Sequence, residues 1–85
     1  MGIGGGMDER TITAFRITAF WDDTGEGVDN DPVSITDVES TEELHDLIKS
    51  EMVAALKWHT KTPRSLTVSY LNHTGRCVDS YTVYL

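Results

Sequence analysis

Five acidic side chains and two glycines fall within the twelve residues WDDTGEGVDNDP, residues 21–32, and no basic residue lies among them. Carboxylates at this density suit cation binding, general acid–base catalysis or recognition of a cationic partner. An EF-hand loop starting at Asp22 would have Gly27 at its sixth position, but Val33 falls at the twelfth, where a bidentate glutamate is required. The segment is therefore not an EF-hand, and an irregular calcium site or a solvated loop are the alternatives.

No other group of residues has the spacing of a metal or catalytic site. The three histidines and Cys77 share no spacing typical of structural zinc, and we expect the histidines to face solvent. A nucleophilic pair of Cys77 and His73 would need an orienting partner, and only Arg76 lies beside it. The acidic pairs fall on a loop and a helix start rather than in the apolar pocket that acid catalysis needs. We therefore expect no enzyme activity, no metal and no cofactor.

Charge is distributed unevenly along the chain. The net charge is −7, and residues 22–51 contain eleven acidic residues against Lys49 alone. Residues 52–78 contain no acidic residue and four basic ones. Such segregation produces a dipolar field that steers encounter with charged partners, and an acidic chain repels nucleic acid. We therefore expect a protein partner with a basic surface and no direct binding of nucleic acid.

Length and composition favour one small domain. The 85 residues are 39% hydrophobic and 25% charged, values typical of a globular protein. No apolar run suggests a membrane span, and the first residues lack the features of a secretory signal. A single cysteine fits a reducing compartment. We expect a cytoplasmic protein without a membrane partner, with a disordered Gly-rich N-terminus at residues 1–9 and a single α+β domain at residues 10–85.

Two strands are predicted to flank the acidic loop. Residues 10–21 alternate β-branched and aromatic residues with smaller ones, and residues 33–38 show the same alternation. Alternate residues from Phe15 to Trp21 share one apolar face. The two strands are expected to form a hairpin whose long connection is the acidic loop.

A capped helix is the clearest predicted element. Ser40 followed by Glu43 forms a capping box, and acidic residues crowd the first turn, where the helix dipole favours them. Glu51 lies within the apolar stripe of the helix, so its carboxylate must pair with Arg16 or Lys61 or reach water. The stripe has helical spacing and consists of Leu44, Leu47, Ile48, Met52, Ala55 and Trp58.

Two further strands are predicted at residues 65–72 and 77–85. Their apolar faces coincide in only one register, because a slip of one residue turns every side chain over. That register places Asn72 opposite Cys77 and a turn at residues 74–75. The apolar pairs that define it are Val68 with Tyr81 and Leu66 with Val83.

The predicted fold is α+β with element order β-β-α-β-β: a four-stranded, mostly antiparallel sheet with one helix packed on one face. The opposite face is expected to be solvated and rich in Ser and Thr. An exposed edge of the sheet is a route to a homodimer. The solvated face is predicted to carry Arg16, Thr18, Phe20, Ser34, Thr36, Thr67, Ser69, Leu71, Ser80, Thr82 and Tyr84.

Parts of the chain resemble known inhibitors. The stretches WDDTGEGV (residues 21–28) and TEELHDLI (residues 41–48) are similar to two elements of the actinobacterial-type toxin immunity proteins of the Imm1 kind. In size, acidity and β/α makeup the chain also resembles small phage-encoded anti-CRISPR inhibitors. Both resemblances imply a compact acidic protein, acting in the cytoplasm of a bacterial host, that occludes a site on a nuclease, a CRISPR effector or a toxin.

The leading functional hypothesis is a non-enzymatic inhibitor of a nucleic-acid-handling protein, whose carboxylates compete with phosphate for a basic groove. The alternatives are an immunity protein that neutralises a bacterial toxin, and a structural or assembly subunit. The acidic loop and the first turns of the helix are expected to form one binding face. Its predicted residues are Asp22, Asp23, Glu26, Asp29, Asp31, Glu39, Glu42, Glu43 and Asp46.

Overall fold

A computed structural model describes residues 9–22 and 25–85 of the chain. The predicted α+β class is confirmed, because one helix packs on one face of an antiparallel sheet. Within the described part of the chain, no helix is both long and apolar enough to cross a membrane. The elements are β1 (Ala14–Phe20), β2 (Gly27–Asp29), β3 (Val33–Ser34), α1 (Thr41–Trp58), β4 (Ser65–Leu71) and β5 (Cys77–Tyr84).

The sheet contains one strand more than predicted, because part of the acidic loop pairs with β1. The strand order is β2-β1-β4-β5, and β3 pairs with the same edge of β1 as β2. β2 lies beside the end of β1, with Phe20 opposite Gly27, and β3 lies beside its start, with Ala14 opposite Ser34. The predicted strands at residues 10–21 and 33–38 are therefore both shorter in the structure. The predicted disordered segment lies, apart from Glu9, outside the described residues.

The core lies between α1 and the faces of β1 and β4 that the sequence predicts to be apolar. Each fully buried large side chain there contributes about 1.5–3 kcal/mol. The buried cluster consists of Phe15, Ile17, Ala19, Ile48, Ala55, Leu66 and Val68, all at most 3% exposed.

Leu71 corrects the expectation of a fully solvated second face. It points away from α1, yet it is only 2% exposed. The segment that leads into β1 returns to this end of the sheet, since the Asn72 Nδ2 atom donates to the Glu9 carbonyl oxygen at 2.8 Å. Thr13 also donates its N–H to the Leu71 carbonyl at 2.8 Å.

The predicted register of the last two strands is confirmed through most of its length. The pairs defined by their apolar faces, Leu66 with Val83 and Val68 with Tyr81, are both present. The predicted pairing of Asn72 with Cys77 is wrong, because Leu71 opposes Cys77 and the register shifts at this point.

Asn72 does not continue the strand because its side chain organises the turn. Its Oδ1 atom accepts hydrogen bonds from Thr74 N at 3.0 Å, from Thr74 Oγ1 at 2.7 Å and from Arg76 N at 3.0 Å. Gly75 supplies the left-handed residue, with φ of +87°. The predicted position of the turn is therefore confirmed.

The predicted start of the helix is also confirmed. Ser40 is the N-cap, and its Oγ atom accepts a hydrogen bond from Glu43 N at 3.1 Å. The Glu43 carboxylate accepts in return from Glu39 N, at 2.8 Å. Trp58, predicted on the buried stripe, is 83% exposed. Trp58 is the last residue of α1 and lies on the flank of the stripe, whereas Ala55, one turn earlier, is only 1% exposed.

Candidate functional site

The acidic residues predicted as one binding face divide between the two ends of the helix. α1 has 18 residues, so its ends are separated by about 27 Å. Its last turns lie at the end of β1, where the Trp21 and His59 rings are 4.7 Å apart. Asp23 lies outside the described residues. Near this end are Asp22, Glu26, Asp29 and Asp31, whereas Glu39, Glu42, Glu43 and Asp46 surround the start of α1.

The acidic residues around the start of α1 have a local structural role. Glu42 and Glu43 occupy the first turn, where carboxylates interact favourably with the positive end of the helix dipole. Glu43 also satisfies the N–H of Glu39, as described above. Helix formation therefore accounts for the charges of Glu42 and Glu43 without a ligand.

A cleft lies beside the other acidic group, between the last turns of α1 and the chain that follows β2. We call it the Trp58 cleft. Its volume is about 420 Å³. It is lined by Val28, Asp29, Asn30, Asp31, Glu51, Ala54, Ala55, Trp58 and His59.

The rim of the Trp58 cleft combines an exposed aromatic ring with negative charge. Trp58 is 83% exposed, and Val28 on the opposite wall is 48% exposed. Glu51, half-buried, and Asp31, exposed, also line the cleft. A large indole beside two carboxylates suits a ligand that is both cationic and partly apolar, such as a Lys or Arg side chain.

His59 lines the Trp58 cleft, and its ring packs against Trp21. The two rings meet edge to face, with an angle of 83° between their planes. The Trp21 Nε1 atom donates to the Lys61 carbonyl oxygen at 2.9 Å, which ties the chain after the helix to the end of β1. His59 is half-buried, which corrects the expectation that all three histidines face solvent. Its Nε2 atom is buried and has no hydrogen-bond partner in the described part of the chain.

The wall formed by β2 depends on a close approach to β1. A Cβ atom added at Gly27 would lie 2.7 Å from both Phe20 Cε1 and Thr18 Cγ2. Thr18 also donates its hydroxyl to Asp29 Oδ1 at 2.7 Å. Thr18 and Asp29 lie opposite each other on the face away from α1, so the Asp29 carboxylate points away from the cleft. Asp31 and Glu51 are thus the acidic side chains that charge it.

Glu51 does not pair with Arg16, one of the two partners that its position in the helical stripe suggests. Arg16 lies between Phe15 and Ile17, which face the core, so its side chain points to the other face of the sheet. There it lies opposite Ser69. The Arg16 Nε atom is buried and has no hydrogen-bond partner among the described residues.

The other reactive groups are the potential metal ligands and Cys77. Among residues 9–22 and 25–85, no group of three or more His, Cys, Asp or Glu residues is arranged to hold a metal ion. Cys77 is exposed, and its thiol contacts the Asp79 carbonyl oxygen at 3.4 Å.

The sequence indicates the charge of the candidate site but not its central residue. Trp58 has the spacing of a core residue, and only the placement of β2 reveals that a cleft lies beside it. Comparisons of the chain with known protein families, with curated proteins and with solved structures found no match.

Proposed function

We propose that this chain is a non-enzymatic binding protein that inhibits a nucleic-acid-handling protein by occupying its basic surface. The observation that supports the proposal best is the 83% exposure of Trp58 next to Asp31 and Glu51. An indole left in water adds little to the core of its own chain, whereas tryptophan is among the residues that contribute most at protein interfaces.

The chemistry of the Trp58 cleft favours a Lys or Arg side chain of the partner. The face of the indole attracts the cation, and the carboxylates of Asp31 and Glu51 can accept charge-assisted hydrogen bonds from it. Val28 and Ala54 offer apolar contact to the methylene stem of the same side chain.

Inhibition follows from competition with phosphate. Proteins that handle nucleic acid bind the backbone through Lys and Arg side chains, and a carboxylate-rich surface placed on the same side chains excludes the polyanion. The net charge of −7 raises the rate of encounter with such a surface. The proposed place of action is the cytoplasm of a bacterial host, where the partner is a nuclease or a CRISPR effector.

The test is capture of a partner from bacterial lysate, followed by its purification and an assay of its nucleic-acid binding. We expect the wild-type chain to displace nucleic acid from the partner. Trp58→Ala and the double variant Asp31→Asn/Glu51→Gln should lose this effect. The matched control is Glu42→Gln/Asp46→Asn, which removes the same charge near the start of α1 and should inhibit like the wild type.

Two results would overturn the proposal. One is a partner whose nucleic-acid binding is unaffected by the chain, and the other is equal loss of inhibition in both double variants. A captured nuclease toxin would instead assign the chain to toxin neutralisation, because the same surface chemistry serves an immunity protein.

A further inference from the structure

β5 forms an edge of the sheet, and within residues 9–22 and 25–85 its only neighbour is β4. It has eight residues, CVDSYTVY, with Asp79 as its one charged side chain and no Pro. Natural proteins protect edges of this length with charges or Pro, because their open N–H and C=O groups pair readily with another strand. We infer that β5 pairs antiparallel with β5 of a second copy, giving a two-fold symmetric dimer with one continuous sheet.

The direction of the backbone groups supports this pairing. Leu85 N donates to Arg64 O at 2.9 Å, so the odd-numbered residues in this part of β5 hydrogen bond to β4. The even-numbered residues therefore direct their N–H and C=O groups to the open edge. The Asp79 carboxylate accepts the Ser80 N–H at 2.9 Å and must release it on pairing. Both backbone groups of Thr82 face the edge directly.

The side chains select one register for the two copies. Opposed residues of an antiparallel pair share a face of the sheet. The two-fold axis must therefore pass midway between a residue and the same residue of the second copy, and we describe that residue as lying on the axis. With Thr82 on the axis, Tyr81 opposes Val83 of the second copy, and the contact occurs twice. With Tyr81 on the axis, the Asp79 carboxylate would instead oppose Val83, inside the paired strands. The register centred on Thr82 moves the Asp79 carboxylate opposite Leu85, beyond the end of β5, and registers centred further along the strand pair fewer residues. We therefore infer the register centred on Thr82.

Exposed apolar side chains concentrate on the same edge. Val78, Tyr81, Tyr84 and Leu85 are 38–78% exposed. On the helix side, Tyr81 also borders an apolar groove of about 240 Å³ between β5 and α1. Pairing of two copies covers part of this surface, which a monomer leaves in contact with water.

The charge distribution favours a second copy at this edge despite the net charge of each chain. The side of α1 that faces β5 carries His45 and Lys49, whereas Glu51 and Asp31 lie on the side that faces β2. β5 and β2 are at opposite edges of the sheet. A dimer through β5 therefore keeps the acidic surfaces far apart and leaves both Trp58 clefts open, so the inference does not depend on the proposed function.

The oligomeric state is tested by light scattering coupled to size exclusion. We expect a mass of twice 9.5 kDa that falls toward the monomer on dilution. Thr82→Lys places two like charges on the axis and should give a monomer, with circular dichroism verifying its fold. Thr60→Lys, the same substitution at an exposed loop position, should remain dimeric. A monomeric wild type, or a dimer that persists in Thr82→Lys, would overturn the inference.

The register is tested by disulfide cross-linking in a Cys77→Ser background, which does not depend on the lysine variant being folded. Residues paired on the axis have Cα atoms about 5.5 Å apart, within reach of a disulfide. Thr82→Cys should therefore cross-link the two copies under mild oxidation. Residues 80 and 81 each lie displaced along the strand from the same residue of the second copy. Ser80→Cys and Tyr81→Cys should therefore not cross-link the two copies. Cross-linking at either of these positions in place of Thr82 would contradict the inferred pairing.

Discussion

Trp21 and Trp58 lie in contrasting surroundings at the same end of the molecule. Trp21 is half-buried, and its indole N–H donates to the Lys61 carbonyl, whereas Trp58 projects from the last turn of α1. The first indole packs against His59, which lines the cleft, and the second lines the cleft itself. Their roles should therefore separate cleanly on substitution.

We predict that Trp58→Ala changes the free energy of unfolding by no more than about 0.5 kcal/mol, because it removes few contacts. Trp21→Ala should cost about 2 kcal/mol or more, since it removes packing and a hydrogen bond. Urea denaturation measures both. In Trp21→Phe, which retains only Trp58, acrylamide should quench the fluorescence strongly. Weak quenching in that variant would show that Trp58 is covered.

Tyr70 should lose its proton at a higher pH than an ordinary tyrosine does. Burial, followed by the charge of Tyr81, the hydrogen bond to it and the charge of Asp79, raises the pKa of Tyr70 above its ordinary value of 10.0. At a pH above the ordinary pKa, the Tyr70 phenol loses its proton in the unfolded chain before it does so in the folded chain. The free energy of unfolding therefore falls as pH rises toward and through the folded pKa. At a pH below the ordinary pKa, the phenol is neutral in both states and the contribution of Tyr70 to the free energy of unfolding does not change with pH.

Absorbance titration of the tyrosines and urea denaturation across the same pH range measure this effect. Tyr70→Phe should remove the late step and flatten the alkaline loss of stability. The control is Tyr84→Phe, which removes a phenol that is 78% exposed. It should retain both the late titration step and the loss of stability at alkaline pH. An unchanged titration in Tyr70→Phe would contradict the assignment.

At the scale of elements, α1 and the pairing of β4 with β5 could be predicted from the sequence because local signals specify them. Ser40 and Glu43 mark the helix start, and alternation fixes the register of Val68 with Tyr81. β2 could not be predicted, because Gly27–Asp29 is short, fully exposed and rich in turn-forming residues. Its pairing depends on the placement of Gly27 against the Phe20 ring, a tertiary contact.

The helix cap should contribute measurably to stability. Ser40→Ala removes the acceptor of the Glu43 N–H and should cost about 1 kcal/mol in urea denaturation. Ser50→Ala, the same substitution at an exposed position inside α1, should be neutral or slightly stabilising, because alanine has the higher helix propensity. Equal effects of the two substitutions would show that the cap is not formed.

β2 should be sensitive to one added methyl group. Gly27→Ala places a Cβ atom 2.7 Å from Phe20 and Thr18, so we expect a cost of about 1–3 kcal/mol and a weaker cleft wall. Glu26→Ala changes the neighbouring exposed residue without such a contact and should stay within about 0.5 kcal/mol of the wild type. Urea denaturation compares the two, and a neutral Gly27→Ala would contradict the placement of β2.

The whole molecule separates two kinds of surface. One edge holds the Trp58 cleft and the loop acids, and the other holds β5, whose one charged side chain is Asp79. The sequence predicts that acidic residues concentrate in residues 22–51, but it does not predict that the loop acids and the first turn of α1 lie towards opposite ends of an 18-residue helix. That separation depends on the direction in which the helix crosses the sheet, and the order of charges along the sequence does not indicate this direction.

If β5 pairs two copies, each dimer presents two acidic clefts. A partner with two suitably spaced basic patches would then bind with a higher apparent affinity than either cleft gives alone. Thr82→Lys should reduce apparent affinity for such a partner while leaving the affinity of each cleft unchanged.

Binding at the Trp58 cleft is tested most directly by the association rate of the captured partner, measured at low and at high salt. Asp31→Asn/Glu51→Gln should slow association about tenfold or more at low salt, and high salt should narrow the difference from the wild type. Glu42→Gln/Asp46→Asn, with the same change in net charge, should associate nearly as fast as the wild type. Equal slowing by the two double variants, or none by the first, would contradict the Trp58 cleft as the binding site.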